Sequence, residues 1–275
     1  MDQDNQQDFE IHRAALQGEI LIVKGLLKSD PKLAILKDND GRSPLHWAVS
    51  SQHTEIVKLL LNPSSVDTDS SISGGNGNIQ QQQQEETTTT SDTKKTKKKL
   101  IIDIDELTDE SGWTPLHIAS SIGNLEIFEI LMNHDPKPDV NLQTITGQTP
   151  LHYAVSKNNY QICEILIVKY NASARIKDKR GQYPIHRAAS IGSIKLIELL
   201  VNKGKSQLNS KDNSSWTPMH HALAEGHGDI GLLLVKLGAD PKIKDSDDKT
   251  PLDVSVDDKV AKFFKKGCEE EGVEL

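Results

Sequence analysis

One tetrapeptide keeps returning along the chain: Ser43-Pro-Leu-His46, Thr114-Pro-Leu-His117, Thr149-Pro-Leu-His152, Tyr183-Pro-Ile-His186, Thr217-Pro-Met-His220 and Thr250-Pro-Leu-Asp253. Phe9-Glu-Ile-His12 is a degenerate first copy. The fourth residues of successive copies lie 34, 71, 35, 34, 34 and 33 residues apart. Recurrence at that period constrains the fold more than length does, because it marks a chain built from stacked supersecondary units. A length of 275 residues alone would suggest one large domain or two ordinary ones. Repetition replaces both with a linear array in which each unit touches only its neighbours.

Each copy reads the same way locally. A Thr or Ser suited to N-capping precedes a Pro whose missing N–H is tolerated in a first helical turn, and a short Ala-rich helix follows. The second helix carries apolar residues at helical spacing, as in Glu55-Ile-Val-Lys-Leu-Leu-Leu61, Glu126-Ile-Phe-Glu-Ile-Leu131, Ile194-Lys-Leu-Ile-Glu-Leu-Leu200 and Ile230-Gly-Leu-Leu-Leu-Val235. Polar turns such as Lys37-Asp-Asn-Asp-Gly41, Lys177-Asp-Lys-Arg-Gly181 and Lys211-Asp-Asn-Ser-Ser215 lead into the next cap. The pattern resembles the ankyrin repeat, whose signature T-P-L-H-x-A stands nearly intact in five copies. The expected fold is all-α: a solenoid of about seven helix-turn-helix units joined by short hairpin turns. Phe9-Glu-Ile-His12 at one end, and Leu252-Asp-Val-Ser-Val256 with Val260-Ala-Lys-Phe-Phe264 at the other, read as caps.

The overlong step holds about 38 extra residues, and composition places them at 63–99. This segment has Gly/Asn-rich, Gln, Thr and Lys tracts with almost no apolar residue to offset ordering entropy, so it is expected to be a disordered insert. The expected organisation is therefore repeats one and two in 1–62, the insert in 63–99, repeats three to seven of the same solenoid in 100–268, and an acidic, solubilising tail in 269–275. The run Lys94-Lys-Thr-Lys-Lys-Lys99 could serve nuclear import or tether a nucleic acid, but it reads first as a solvated tract.

Composition narrows the chemistry. No stretch approaches the roughly 18 apolar residues of a membrane span, and the opening Met1-Asp-Gln-Asp4 lacks the cations and apolar run of a secretory signal, so secretion and membrane insertion are not expected. Two cysteines, Cys163 and Cys268, give neither a disulfide framework nor a zinc cluster. A net charge of −8 argues against general nucleic-acid binding. Six of the ten histidines (His12, His46, His117, His152, His186, His220) share one repeat position, where hydrogen bonding to caps and neighbouring backbone explains them better than catalysis or metal binding. Cys163 lies in an apolar helical pattern and reads as inert. With no phosphate loop, nucleophile elbow or paired-cysteine motif, no enzymatic activity and no cofactor or metal is expected.

If packing accounts for the recurring positions, recognition falls to those that vary. Before each cap stand Arg42, Trp113, Gln148, Gln182, Trp216 and Lys249; one place after the fourth signature residue stand Trp47, Ile118, Tyr153, Arg187, His221 and Val254. Four residues on come Ser51, Ile122, Lys157, Ile191 and Glu225, on the same helix face. In the ankyrin architecture these rows and the turn tips line the concave side. Trp47, Trp113 and Tyr153 then sit among Arg42, Lys157 and Arg187, beside acidic tips at Asp38, Asp40, Asp109 and Glu110. Trp and Arg are residue types that anchor protein interfaces. Trp113 and Trp216 could equally brace the turn against the next repeat.

Longer strings go beyond a generic repeat: Lys37-Asp-Asn-Asp-Gly-Arg-Ser-Pro-Leu-His-Trp-Ala-Val-Ser50, Glu110-Ser-Gly-Trp-Thr-Pro-Leu-His-Ile-Ala-Ser120, Thr149-Pro-Leu-His-Tyr-Ala-Val-Ser-Lys-Asn158 and His221-Ala-Leu-Ala-Glu-Gly-His-Gly-Asp229. They resemble the gankyrin-type family, especially its members in unicellular eukaryotes. That family comprises seven-repeat chaperones of proteasome regulatory-particle assembly that cradle the C-terminal domain of one ATPase subunit of the base. By this resemblance Arg42 and Lys157 match basic positions that pair with acidic residues of the ATPase domain. Asp38, Asp40, Asp109 and Glu110 match acidic tips, and Trp47, Trp113 and Tyr153 the aromatics between them. Arg187, Trp216, His221 and Glu225 complete the expected partner-binding set. The retinoblastoma-binding pattern L-x-C-x-E would fall on His221, Leu223 and Glu225, where only Glu225 agrees, so that activity is not expected. The resemblance implies a chain that is a monomer when free, lives in cytoplasm and nucleus, and blocks premature docking on the core particle. The rivals are a general ankyrin adaptor for a signalling or transcriptional partner, and an enzyme using His221, Glu225 or Cys163.

Overall fold

The computed structural model describes residues 9–68 and 100–275. The described residues contain thirteen α-helices and no strand. Six units are helix pairs: α1 (Glu10–Gln17) with α2 (Ile20–Ser29), α3 (Pro44–Ser50) with α4 (Thr54–Leu61), α5 (Pro115–Ile122) with α6 (Leu125–Met132), α7 (Pro150–Ser156) with α8 (Tyr160–Glu164), α9 (Pro184–Ser190) with α10 (Ile194–Asn202), and α11 (Pro218–Ala224) with α12 (Gly228–Lys236). In the seventh, Thr250-Pro-Leu-Asp253 forms turns rather than a helix, and α13 (Asp258–Glu270) closes the stack.

The signature histidine shows why the tetrapeptide recurs. In α3, α5, α7, α9 and α11 the backbone N–H of the capping residue donates to the Nδ1 of the histidine three places on, at 3.0–3.2 Å. Nδ1 is therefore an acceptor, which leaves the proton on Nε2. That Nε2–H donates across to the next unit: His46 to Trp113 O, His117 to Leu142 O, His152 to Gln182 O, His186 to Ser210 O and Trp216 O, and His220 to Lys249 O, at 3.0–3.3 Å. One neutral imidazole thus caps its own helix and stitches two units together, so its replacement would strand buried partners on both sides. Between the helices the core is aliphatic and alanine, with Phe128 and Phe264 its largest fully buried side chains.

The hairpin tips are joined to one another by backbone hydrogen bonds: Glu110 N–H to Asp40 O, Ile145 to Ser111, Lys179 to Thr146, Asn213 to Arg180 and Ser246 to Ser214, at 2.9–3.2 Å. Four of the five approached turns carry glycine at the positive-φ corner, and the fifth carries Ser215 at φ 60°. Gly147 has φ +80°, and a Cβ there would lie 2.9 Å from Lys179 N. Gly147→Ala is expected to cost about 1–2 kcal/mol from the left-handed backbone alone, with more from displacing the neighbouring tip, read as a lowered urea midpoint.

Two boundaries differ from expectation, and one helix changes type within its unit. Pro63–Thr68 is a turn of 3₁₀ helix following α4, with Pro63 buried, so the solenoid extends past residue 62; the rest of the expected insert, with the Lys94–Lys99 run, lies outside the described residues. The second helix of the fourth unit changes at Glu164 to a π-helical turn, Ile165–Lys169, with Tyr170 N–H donating to Ile165 O at 3.2 Å. The acidic tail is not a free end: Glu269 and Glu270 belong to α13, Cys268 beside them is fully buried, and Glu271 pairs with Lys236 at 3.0 Å.

Candidate partner-binding face

Each hairpin tip begins with a residue whose side chain caps its own turn. Asp38, Asp109, Asp178, Asp212 and Asp245 each accept two backbone N–H bonds, from the residues two and four places on, at 2.8–3.0 Å. A further interaction ties four of the six turns to the helix beneath. Nine residues after the first turn residue, Trp47 donates Nε1–H to Asp38 at 2.8 Å, Arg187 pairs with Asp178 at 2.8 Å, His221 Nε2 meets Asp212 at 2.9 Å, and the Tyr153 hydroxyl lies 3.4 Å from Thr144 Oγ1.

The other two turns carry Ile118 and Val254 at that position, which have nothing to offer a carboxylate. Their aspartates turn instead to the residue before the preceding cap. Asp109 meets Arg42 Nε at 3.5 Å, and Asp245 accepts the Trp216 indole N–H at 2.9 Å. Every aspartate of the row is therefore partnered from the helix below or the unit before. The side chains of Asp109, Asp178 and Asp212 are only 6%, 1% and 6% exposed.

These partners set the charge of the face. Burial works against ionisation of Asp38, Asp178 and Asp212. At Asp38 the Trp47 and backbone hydrogen bonds outweigh it, at Asp178 those from Arg187 and backbone, and at Asp212 those from His221 and backbone, so all three carboxyls stay below their usual range and ionised.

The expected site residues consequently divide. The Arg42 guanidinium lies 5.1 Å from the Trp47 ring while reaching Asp109, so Asp38, Arg42, Trp47 and Asp109 form one cluster. Trp113 packs on Tyr153 with ring centroids 4.0 Å apart and forms a second. Trp216, His221 and, through a ring contact at 5.5 Å, His186 form a third. Trp216 braces its turn to the next one, as its alternative reading held. Asp38 and Asp109 were expected as acidic tips facing a partner; their carboxylates are spent on their own turns, and Asp109 is shut in by Arg42. Asp40 and Glu110 are exposed tips, linked by a backbone bond. Lys157 and Glu225, at the ends of α7 and α11, are exposed and outside every ion pair of the described residues. Thr144, Asp178, Asp212 and Asp245 escaped the sequence reading, although the constant offset of nine between turn and helix was there to be found.

Burial pushes the Cys163 thiol up to about 12, and among the described residues no three His, Cys, Asp or Glu side chains converge as metal ligands. No helix among the described residues is long and apolar enough to cross a membrane.

Comparison with known proteins agrees with the repeat architecture. A family model for ankyrin repeats in three copies matches residues 2–72, 91–178 and 167–245. The chain is 42% identical over 258 residues to a probable 26S proteasome regulatory subunit p28 of Saccharomyces cerevisiae, covering 94% of this chain and 97% of that one. It is 33% identical over 253 residues to an ankyrin repeat-containing protein of Schizosaccharomyces pombe, covering 92% of each. Over 47 residues, 17% of this chain and 21% of the relative, it is 45% identical to human 26S proteasome non-ATPase regulatory subunit 10. Among solved structures, the ankyrin repeat domain of Bcl-3 superposes with a TM-score of 0.66 at 21% identity, covering 93% of this chain and 97% of that domain, a likeness of fold alone.

Proposed function

The chain belongs to the ankyrin-repeat family, on its gankyrin-type branch of proteasome regulatory subunits, and from that membership we propose that it is a non-enzymatic chaperone of regulatory-particle assembly. It binds the C-terminal domain of one ATPase subunit of the base on its concave face, in cytoplasm and nucleus, and its bulk keeps the unfinished particle off the core particle. Nothing is catalysed; the function is occupancy followed by release.

The observation that carries this reading is Lys157. It is the one basic member of its row, exposed and outside every ion pair of the described residues, one turn on from Tyr153 at the end of α7, with Trp113 packed on Tyr153 from the hairpin before α5. A free cation beside anchored aromatics suits an acidic position on a protein partner, where long-range attraction adds rate and specificity. Arg42 contributes differently. Its Nε is committed to Asp109, so it offers only the remaining guanidinium edge.

Affinity purification of the tagged chain tests the reading. Base ATPase subunits are expected to dominate the co-purifying proteins, and Lys157→Glu is expected to weaken capture about tenfold or more while leaving the thermal midpoint unchanged. The single variant is more telling than one that includes Arg42→Glu, which would set a second carboxylate against Asp109. Capture of some unrelated signalling or transcriptional protein in place of ATPase subunits would replace the chaperone with a general adaptor.

A further inference from the structure

The tips of the third, fourth and fifth units overhang an open cleft of about 570 Å³ whose floor is the Trp113–Tyr153 pair. At its centre stands Ile145, 57% exposed on a hairpin tip, where the equivalent residues of the other tips are Asn39, Glu110, Lys179, Asn213 and Ser246. Its backbone is fixed, with the N–H donating to Ser111 O, so this apolar side chain is held out to solvent by a rigid turn. On one rim Asp178 is matched by Arg187, which leaves Lys179 and Arg180 exposed and outside every ion pair of the described residues. Their backbones are anchored as well, Lys179 N–H to Thr146 O and Arg180 O from Asn213 N–H. Glu110 stands exposed on the opposite rim.

From this geometry we infer that the cleft is a docking site for a short segment of a protein partner that presents an apolar or aromatic side chain flanked by carboxylates. The apolar group fills the space between Ile145 and the aromatic floor, and the carboxylates face Lys179 and Arg180. Fixed aromatics and an apolar neighbour on rigid turns lose little conformational freedom on binding, which is what an interface anchor needs. The two free cations form a local positive rim on a chain of net charge −8, so complementarity selects acidic residues at that place. A nucleic acid fits less well, because Glu110 opposes a phosphate backbone and Arg187 is already engaged. The assignment deepens the proposed function by stating the partner chemistry at the centre of the groove, and it can be tested apart from it.

Trp113 fluorescence provides the readout in the full chain carrying Trp47→Phe and Trp216→Phe. The probes are a capped peptide with glutamates flanking a Leu-Phe pair, the same peptide with lysines in their place, and an oligothymidylate. The expected result is a saturable change in Trp113 emission with the acidic peptide only. Lys179→Glu with Arg180→Glu should weaken it about tenfold or more, and Ile145→Ser should also weaken it. All three side chains are exposed, so circular dichroism should show unaltered folding. An equal response to the lysine peptide, a response to the oligothymidylate instead, or no saturable change with the acidic peptide would overturn the inference. Peptide binding without capture of ATPase subunits would leave the cleft in place and remove the proposed chaperone function, so the two failures are distinguishable.

Discussion

Lowering the pH from 7 to 5 is expected to remove most of the stability of the solenoid. His117, His152 and His186 lie within the stack, and burial, the largest influence, lowers each from 6.5 to about 4 against the opposing backbone hydrogen bonds. His12, His46 and His220 are lowered for the same reason. In all of them but His12 the Nδ1 accepts the capping N–H, so protonation there requires breaking that bond. In the unfolded chain the same imidazoles titrate near their ordinary 6.5.

Between these values the unfolded state binds more protons, so stability is fully present above about pH 6.5 and falls as the pH drops towards 4. For a group shifted from 6.5 to about 4, the loss at pH 5 is roughly 2 kcal/mol. Three such groups cost about 6 kcal/mol, comparable with the whole net stability of many domains. The check is a series of thermal melts from pH 7.5 to 5, with proton uptake on unfolding measured at its midpoint. A steep fall in Tm and uptake of several protons are expected; a flat Tm across that range would show that the histidines do not act as described.

The second large effect concerns the end of the stack. Phe264 of α13 is fully buried, and α12 makes room for its ring with Gly231, where a Cβ would stand 3.0 Å from the Phe264 ring and 2.8 Å from Leu223. The seventh unit has lost its first helix, so α13 is the last element packed on α12, which also packs on α11, and Phe264 is the largest fully buried side chain that α13 contributes. Phe264→Ala is expected to cost about 3–5 kcal/mol. The loss should begin locally, since each unit of a solenoid is held by its neighbours and an uncapped end frays first. Amide hydrogen exchange should therefore quicken in α11 to α13 well before α3 to α7. Phe263, one residue away, 52% exposed and resting on Gly228 of α12, provides the comparison: Phe263→Ser should cost only about 1 kcal/mol. Equal losses at the two positions would mean that α13 is an appendage rather than a cap.

Much of this fold was legible because ankyrin packing writes itself into spacing. The period placed six of the helix pairs, and the position shared by six histidines separated structure from catalysis. What escaped is instructive. Thr250-Pro-Leu-Asp253 carries the signature yet forms only turns. Asp253 there accepts the Thr250 N–H through its carboxylate at 2.8 Å but has no counterpart of the Nε2–H that stitches one unit to the next.

Among the functional residues, type and row could be read from the copies, but not availability. Asp109 and Glu110 are adjacent acidic residues. One is buried against Arg42 because Ile118 leaves it no partner below, whereas the other is exposed. That difference depends on what stands nine residues later and one unit earlier, and only the folded stack brings those residues together. Lys179, Arg180 and Ile145 were passed over for the opposite reason: they belong to turns that read as spacers until the tips are seen to form a wall.

Site-specific photo-crosslinking tests the central claim, that the inner row is the partner's template, in its most direct form. A benzophenone amino acid at Lys157 should crosslink the C-terminal domain of one base ATPase subunit, whereas the same group at exposed Lys203, past the end of α10 and off that row, should not. Crosslinking from Lys203 with none from Lys157 would place the partner elsewhere on the solenoid and contradict the assignment of this face.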